Sequence, residues 1–159
     1  GRFKSLLISS DGEKYSPEGI EEALVEKSPY IDQVMLYNNQ CTTTTALIVP
    51  NRDSLRHYLK EKGMKAESVE GRTAALQLIE NELARFKKGG EFQGMFPERW
   101  LPSSFAVLAE PFTEQNQMIN STMKMVRPKI EKAYKERIDY IYTSEGKATL
   151  NQQNIDSIF

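Results

Sequence analysis

The sequence has very few of the residues that form crosslinks or bind transition metals. Cys41 is its single cysteine and His57 its single histidine among 159 residues. One cysteine excludes an internal disulfide, and one residue of each type excludes a zinc cluster built from cysteine and histidine. No residue is therefore predicted to ligate a metal. Scarce cysteine is typical of a reducing compartment, and we expect a cytoplasmic protein.

Long apolar runs and a charge excess of either sign are also missing. The longest apolar runs, such as residues 46–50, are as long as a strand, whereas a membrane-spanning helix needs roughly 20 residues. Lys and Arg number 21 and Asp and Glu 22, so charge does not favour nucleic acid as a partner. The N-terminus also lacks the pattern of a signal peptide. These features indicate one globular domain.

Turn residues and apolar periodicity divide the chain into short strands and helices. The predicted strands are residues 4–9, 13–15, 33–37, 44–49 and 104–108. The predicted helices are residues 17–27, 54–61, 70–88 and 127–142. This order predicts an α+β fold, with a short N-terminal β-hairpin and a small, about three-stranded sheet packed with helices.

Local residue types define several of the boundaries. Residues 10–12 have turn chemistry between the arms of the hairpin. Ser16 before Pro17 predicts a hydroxyl N-cap followed by proline in the first helical turn. The polar residues 38–40 predict a turn between two antiparallel strands. Residues 144–159 are polar and weakly patterned, so we expect a domain over residues 1–143 followed by a mobile or late-added tail.

A first block of residues resembles the adenylate-forming enzymes. Gly1-Arg2-Phe3-Lys4 precedes the apolar Leu6-Leu7-Ile8, then the Gly12 turn, then Pro17-Glu18-Gly19-Ile20-Glu21 at a helix start. In order and spacing this block resembles the junction between the large N-terminal domain and the small C-terminal domain of that superfamily. The superfamily includes acyl-CoA synthetases, luciferases and peptide-synthetase adenylation domains.

A second block resembles the long-chain fatty acid–CoA ligase branch of that superfamily. The branch has Phe-Thr-x-x-Asn-Gly and then Thr-Pro-Thr-x-Lys-x-x-Arg, and this chain has matching residues from Phe112 to Gln117 and from Asn120 to Arg127. Lys124 falls at the position of the family's catalytic lysine. Asn120-Ser121 stand where the family has Thr-Pro, and Gln117 stands where it has glycine. The resemblance covers residues 2–142.

The resemblance implies the mobile C-terminal domain of a two-domain enzyme. Such enzymes convert a carboxylate and ATP with Mg²⁺ into acyl-AMP, and the thiol of coenzyme A then displaces AMP. The implied partners are the N-terminal ATP- and acyl-binding domain, a fatty acid, ATP and coenzyme A. We expect this domain alone to bind none of these tightly and to be inactive. No transmembrane segment is expected, and peripheral membrane contact of the parent enzyme stays open.

The same resemblance implies roles for six residues. The implied roles are catalysis for Lys124, the hinge for Lys4, nucleotide contact for Arg2 and Lys14, and the thiol tunnel for Gly12 and Glu13. Four of these residues have a simpler alternative. Lys124 and Lys14 could be solvated surface lysines, Gly12 could serve a plain hairpin turn, and Lys4 could protect a strand edge.

Two other functions remain open from the sequence. An acyl–carrier-protein synthetase of the same superfamily would deliver its acyl group to a similar phosphopantetheine thiol. A free-standing small α+β binding module would need no second domain. The hinge-like residues 1–4 favour an enzyme domain over the free-standing module.

Overall fold

The computed structural model describes residues 5–159 and has an α+β fold with two three-stranded sheets. The strands are β1 (Leu7–Ser9), β2 (Lys14–Tyr15), β3 (Ile31–Tyr37), β4 (Asn39–Cys41), β5 (Thr44–Pro50) and β6 (Pro102–Val107). The helices are α1 (Glu18–Glu26), α2 (Arg52–Glu61), α3 (Val69–Ala84), α4 (Arg127–Ala133), α5 (Lys135–Ile141) and α6 (Gln152–Ser157), with a short 3-10 helix at Glu98–Trp100. The predicted α+β class, N-terminal hairpin and small sheet are confirmed. No helix in this described range is long and apolar enough to cross a membrane.

The larger sheet has β5 at its centre, between an antiparallel β3 and a parallel β6. Every residue of β5 is buried, because helices and loops cover both faces of the sheet. Alternate side chains enter two separate apolar clusters, as the two-residue period of a strand requires. Ala46 and Ile48 pack in one cluster with α1, α2 and α3. Leu47 and Val49 pack in the other with α4 and α5.

The smaller sheet contains a strand that the sequence did not predict. Residues 39–41 form β4, which pairs in parallel with β1 on the side opposite β2. The predicted antiparallel pairing of the two flanking strands is confirmed by β3 and β5, but residues 39–41 form a strand within their connection and not a simple turn. Asn38 explains the difference, since its buried side-chain oxygen accepts the Cys41 amide (2.8 Å) and its amide nitrogen donates to the Tyr15 hydroxyl (3.1 Å). The polar residue orders the segment internally and presents its backbone to β1.

The helix predicted over residues 70–88 ends at Ala84, and two other helices also differ from the predictions. The N-cap of α1 is Pro17, and the Ser16 hydroxyl donates to the Glu18 carboxylate (2.8 Å), so the predicted serine cap does not form. The predicted helix over residues 127–142 is interrupted at Tyr134, which separates α4 from α5.

The C-terminal segment, residues 144–159, packs against the domain and ends in α6. Asn154 is fully buried. Its amide nitrogen donates to the Phe105 and Thr149 carbonyls (3.0 and 2.9 Å), and its oxygen accepts the Val107 amide (3.0 Å). Three arginines donate to this segment from elsewhere in the fold: Arg52, Arg72 and Arg137. The polar side chains of the segment thus satisfy buried groups instead of facing solvent.

Candidate functional site

The predicted site residues fall in two separate regions of the domain. Arg2 and Lys4 lie outside the described residues. Gly12, Glu13 and Lys14 lie together at the turn and second arm of the β1–β2 hairpin. Lys124 lies on the loop between β6 and α4.

Gly12 occupies a backbone conformation that favours glycine. Its φ is +88°, and its amide donates to the Ser9 carbonyl (3.0 Å) to close the turn. The Asp11 carboxylate braces the turn by accepting the Ser9 hydroxyl and the Glu13 amide (3.1 Å), and these bonds, that from Ser9 foremost, lower the pKa of Asp11. A Cβ placed on Gly12 would meet no heavy atom within 4 Å. The turn therefore faces open space on a rigid support.

Glu13 fastens the hairpin to the segment that contains the 3-10 helix. Its two carboxylate oxygens accept Nε and Nη2 of Arg99 (both 2.7 Å), and one also accepts the Trp100 indole N–H (3.1 Å). The Trp100 ring stacks on Tyr15 with the ring centroids 5.2 Å apart. The bonds from Arg99, and then that from Trp100, lower the pKa of Glu13. The carboxylate is thus engaged inside the domain, while the neighbouring Lys14 is exposed.

These contacts predict an acid-sensitive signal from Trp100, the single tryptophan of the chain. The pKa of folded Glu13 lies below its ordinary value of 4.5. Hairpin docking should therefore be fully present above pH 4.5 and be lost as the pH falls through the folded pKa. We expect the NMR shift of the Trp100 indole proton to titrate with a midpoint below 4.5.

Glu13→Gln should abolish this titration, whereas Asp11→Asn should preserve it as a matched control on the same turn. A midpoint at or above 4.5 in the unmodified chain, or an unchanged titration in Glu13→Gln, would contradict the docking role.

The Lys124 loop has a fixed backbone. Ile119 and Met125 form an antiparallel bridge, and the Asn120 amide donates to the Lys124 carbonyl (2.9 Å). The Asn120 side-chain oxygen accepts the Thr122 amide (3.0 Å), the Thr122 hydroxyl (2.7 Å) and the Lys124 amide (3.0 Å). Asn120 therefore orders the turn at the position where the resembled motif has threonine before proline.

Gln117 stands where the resembled motif has glycine, and its backbone adopts a conformation that glycine favours. Its φ is +63°, in the left-handed region that glycine adopts without steric cost. The Lys129 ammonium donates to the Gln117 side-chain oxygen and holds the residue in place. The left-handed backbone at this position is thus compatible with the glycine of the resembled motif.

The Lys124 side chain is exposed, and within residues 5–159 its ammonium makes no ion pair. The preceding residue, Met123, has a φ of +64° and is 69% exposed. A left-handed methionine is uncommon, and such conformations persist where the surrounding structure enforces them. The loop therefore presents an exposed positive charge on an ordered backbone.

A buried ion pair links the two sequence blocks and was missed by sequence reasoning. Arg127 donates to both carboxylate oxygens of Glu21, through Nη1 to Oε2 at 2.8 Å and through Nη2 to Oε1. Their side chains are 12% and 6% exposed. Burial raises the pKa of Glu21, and the hydrogen bonds from Arg127 act in the opposite direction. The available signal was two opposite charges in the two resembling blocks, but spacing alone could not pair them.

Comparison with known proteins places this chain in a family. The family described as AMP-binding enzyme C-terminal domain matches residues 4–82. The chain is 27% identical over 143 residues to a chloroplastic long-chain-fatty-acid–[acyl-carrier-protein] ligase of Arabidopsis thaliana, covering 90% of this chain and 17% of that protein. It is also 27% identical over 149 residues to long chain acyl-CoA synthetase 8 of the same plant, covering 89% and 19%. The chain belongs to the family of C-terminal domains of AMP-binding, adenylate-forming enzymes.

A solved structure agrees with this assignment. The adenylation domain of a carboxylate reductase from Mycobacterium chelonae superposes with a TM-score of 0.67 at 27% identity, over 86% of this chain and 19% of that chain. The chain therefore spans a minor part of the relatives it matches.

Proposed function

We propose that this chain is the mobile C-terminal domain of an AMP-forming acid–thiol ligase of the long-chain fatty acid–CoA type. In the first half-reaction the fatty acid carboxylate attacks the α-phosphorus of ATP, and the bond to pyrophosphate breaks. In the second, the sulfur of coenzyme A attacks the acyl carbonyl carbon, the bond to AMP breaks and the thiol proton leaves. An N-terminal domain would hold ATP and the acyl chain.

The observation that carries the proposal is the exposed Lys124 on its ordered loop. Adenylation brings two anions together and increases negative charge around the α-phosphate. A fixed cation aimed at that charge lowers the barrier, and lysine can extend a compact charge on a long stem. Lys124 makes no ion pair within the described residues that would hold its ammonium against this domain. We infer that it enters the active site of the N-terminal domain.

The Gly12 turn is proposed to serve the second half-reaction. Its open face has room for a thiol arm to pass close to the backbone. Lys14 beside it is proposed to contact a phosphate of the nucleotide or acceptor. Arg2 is proposed to contact the nucleotide, and Lys4 to be the hinge about which the domain turns between the two half-reactions.

Packing supports motion of the whole domain rather than of the hairpin alone. The buried Tyr15 hydroxyl is hydrogen bonded to Thr44 of β5, and the Tyr15 ring stacks on Trp100. The smaller sheet is thus fixed to the larger one. A rotation that exchanges Lys124 for Gly12 at the active site would therefore have to occur at the hinge.

An acyl-carrier-protein acceptor is the second candidate. One relative is named as a ligase for acyl carrier protein and another as an acyl-CoA synthetase, with the same 27% identity. Assays of the full-length enzyme with coenzyme A and with a phosphopantetheinylated carrier protein distinguish the two.

This domain alone should release no pyrophosphate from ATP with fatty acid. Turnover by the isolated domain would contradict the proposal that an N-terminal domain holds ATP and the acyl chain.

The Gly12 role predicts a selective defect in thiol transfer. Gly12→Leu in the full-length enzyme should leave acyl-AMP formation largely intact and slow thioester formation, because the new side chain obstructs the acceptor. Gly63→Leu is the matched control. Gly63 also has a positive φ (+73°), and a Cβ there would also meet no heavy atom within 4 Å. Both variants should carry a similar strain of about 1–2 kcal/mol.

Separate measurement of the two half-reactions, with a thermal melt of each variant, tests this prediction. Equal effects of the two substitutions on thioester formation would show that backbone strain, and not obstruction of the thiol, causes the defect.

A further inference from the structure

We propose that the buried Glu21–Arg127 ion pair positions Lys124 for adenylation. The inference rests on the proposed function, because the pair would act through Lys124 and not by touching substrate. Arg127 is three residues beyond Lys124 in the chain, whereas Glu21 lies in α1. The two residues thus fasten the C-terminal end of the Lys124 loop to the body of the domain.

The pair connects this end of the loop to the strand β3. Glu21 Oε2, which accepts Nη1 of Arg127, also accepts the backbone amide of Leu36 in β3 (2.7 Å). The guanidinium, the carboxylate and the strand amide therefore form one continuous chain of hydrogen bonds. Both side chains are nearly excluded from solvent, so water screens this chain very little.

The other end of the loop is bound to the same strand. The Gln33 side chain of β3 donates to the Phe112 carbonyl (2.9 Å) and accepts the Phe112 amide (2.7 Å). The segment between Phe112 and Arg127 is therefore held by β3 directly at Phe112 and through Glu21 at Arg127. Its middle is closed by the Ile119–Met125 bridge. This arrangement sets where the backbone of Lys124 lies relative to the sheet.

Local helix chemistry does not explain an arginine at this position. Arg127 is the first residue of α4, a helix with no acidic residue in its first turn. The positive end of the helix dipole disfavours a cation there. The pairing with Glu21 is thus the interaction that accounts for the residue, and it orients the helix start as well as the loop.

The test uses conservative substitutions in the full-length enzyme. Arg127→Lys keeps the charge but loses the two-pronged geometry, and Glu21→Gln keeps an acceptor for the Leu36 amide but loses the charge. Each should slow adenylation about tenfold to a hundredfold, since small displacements of a catalytic group have effects of that size. Thioester formation from supplied acyl-AMP should change less than about twofold. Arg56→Lys is the control, because the Arg56–Glu67 pair is solvent-exposed and should contribute little.

A combination with Lys124→Ala separates positioning from general damage to the fold. If the ion pair acts through Lys124, adding Arg127→Lys to Lys124→Ala should cause no further loss of adenylation. If the loss of adenylation rate in the double variant equals the product of the two single losses, the positioning role is wrong. Equal losses in both half-reactions would overturn it too, and that is also the result expected if both conservative variants unfold the domain.

The outcomes distinguish this inference from the proposed function. If Lys124→Ala leaves adenylation unchanged, the proposed role of the loop fails, and the inference with it. If Lys124→Ala removes adenylation while Arg127→Lys and Glu21→Gln do not impair it, the function stands and the positioning role alone is wrong. Hydrogen exchange across residues 119–125 should also accelerate in both conservative variants and remain unchanged in Arg56→Lys.

Discussion

Replacement of Lys124 by alanine in the full-length enzyme is expected to slow adenylation by about 10²–10³, or roughly 3–4 kcal/mol of transition-state stabilisation. The loop would keep its shape, because its bonds come from the backbone and from Asn120. The defect should therefore reflect the missing charge. Thioester formation from supplied acyl-AMP should change much less, since Lys124 would have left the active site by then.

Pyrophosphate release measures the first half-reaction, and thioester yield from supplied acyl-AMP measures the second. Lys132→Ala is the matched control, because Lys132 is another exposed lysine and lies on the adjacent α4. It should leave both half-reactions near their original rates. Equal damage by Lys124→Ala to both half-reactions would argue for a general structural role, and no damage to adenylation would remove the catalytic assignment.

Asn154→Ala is expected to destabilise the domain by roughly 3 kcal/mol or more. The substitution leaves the Phe105 carbonyl, the Val107 amide and the Thr149 carbonyl without their side-chain partner. Each buried polar group left unsatisfied costs about 1–3 kcal/mol. In a chain of this size the melting temperature should fall by about 6–12 °C.

Thermal and urea unfolding of the 159-residue chain measure this effect. Gln152→Ala is the control from the same helix, since Gln152 is exposed and bonds only to Asp156 one turn away (2.8 Å) among the described residues. It should change stability by less than about 0.5 kcal/mol. Similar losses in the two variants would show that Asn154 contributes no more than an ordinary surface residue.

Local signals predicted the elements whose partners are near in the chain. The Gly12 turn fixes the hairpin, and the apolar run around Leu47 predicts the strand β5. The strand β4 and the buried Asn154 were not predictable in this way. In both cases polar residues that usually face solvent are satisfied by groups distant in sequence, such as Tyr15 and Phe105. Composition predicts exposure for such residues and contains no information about those partners.

The candidate site was predictable to a similar extent. The resembling blocks identified Lys124 and the Gly12 turn as positions of interest. Glu21 and Arg127 lay inside the same blocks, but they are separated by 106 residues. Only the packing of α1 against β3 and the course of the Lys124 loop bring them together. The sequence thus indicated which residues to examine, whereas the fold determines which of them are connected.

The C-terminal segment also affects whether separate molecules can pair through the edges of their sheets. Strand β6 lies at the edge of the larger sheet and would present unpaired backbone groups on its outer side. Asn154 occupies the Phe105 carbonyl and the Val107 amide there, as a neighbouring strand would. Open strand edges invite pairing with another chain, which leads to aggregation. By filling these positions with a single side chain, the segment keeps the edge of one molecule from extending into the sheet of the next.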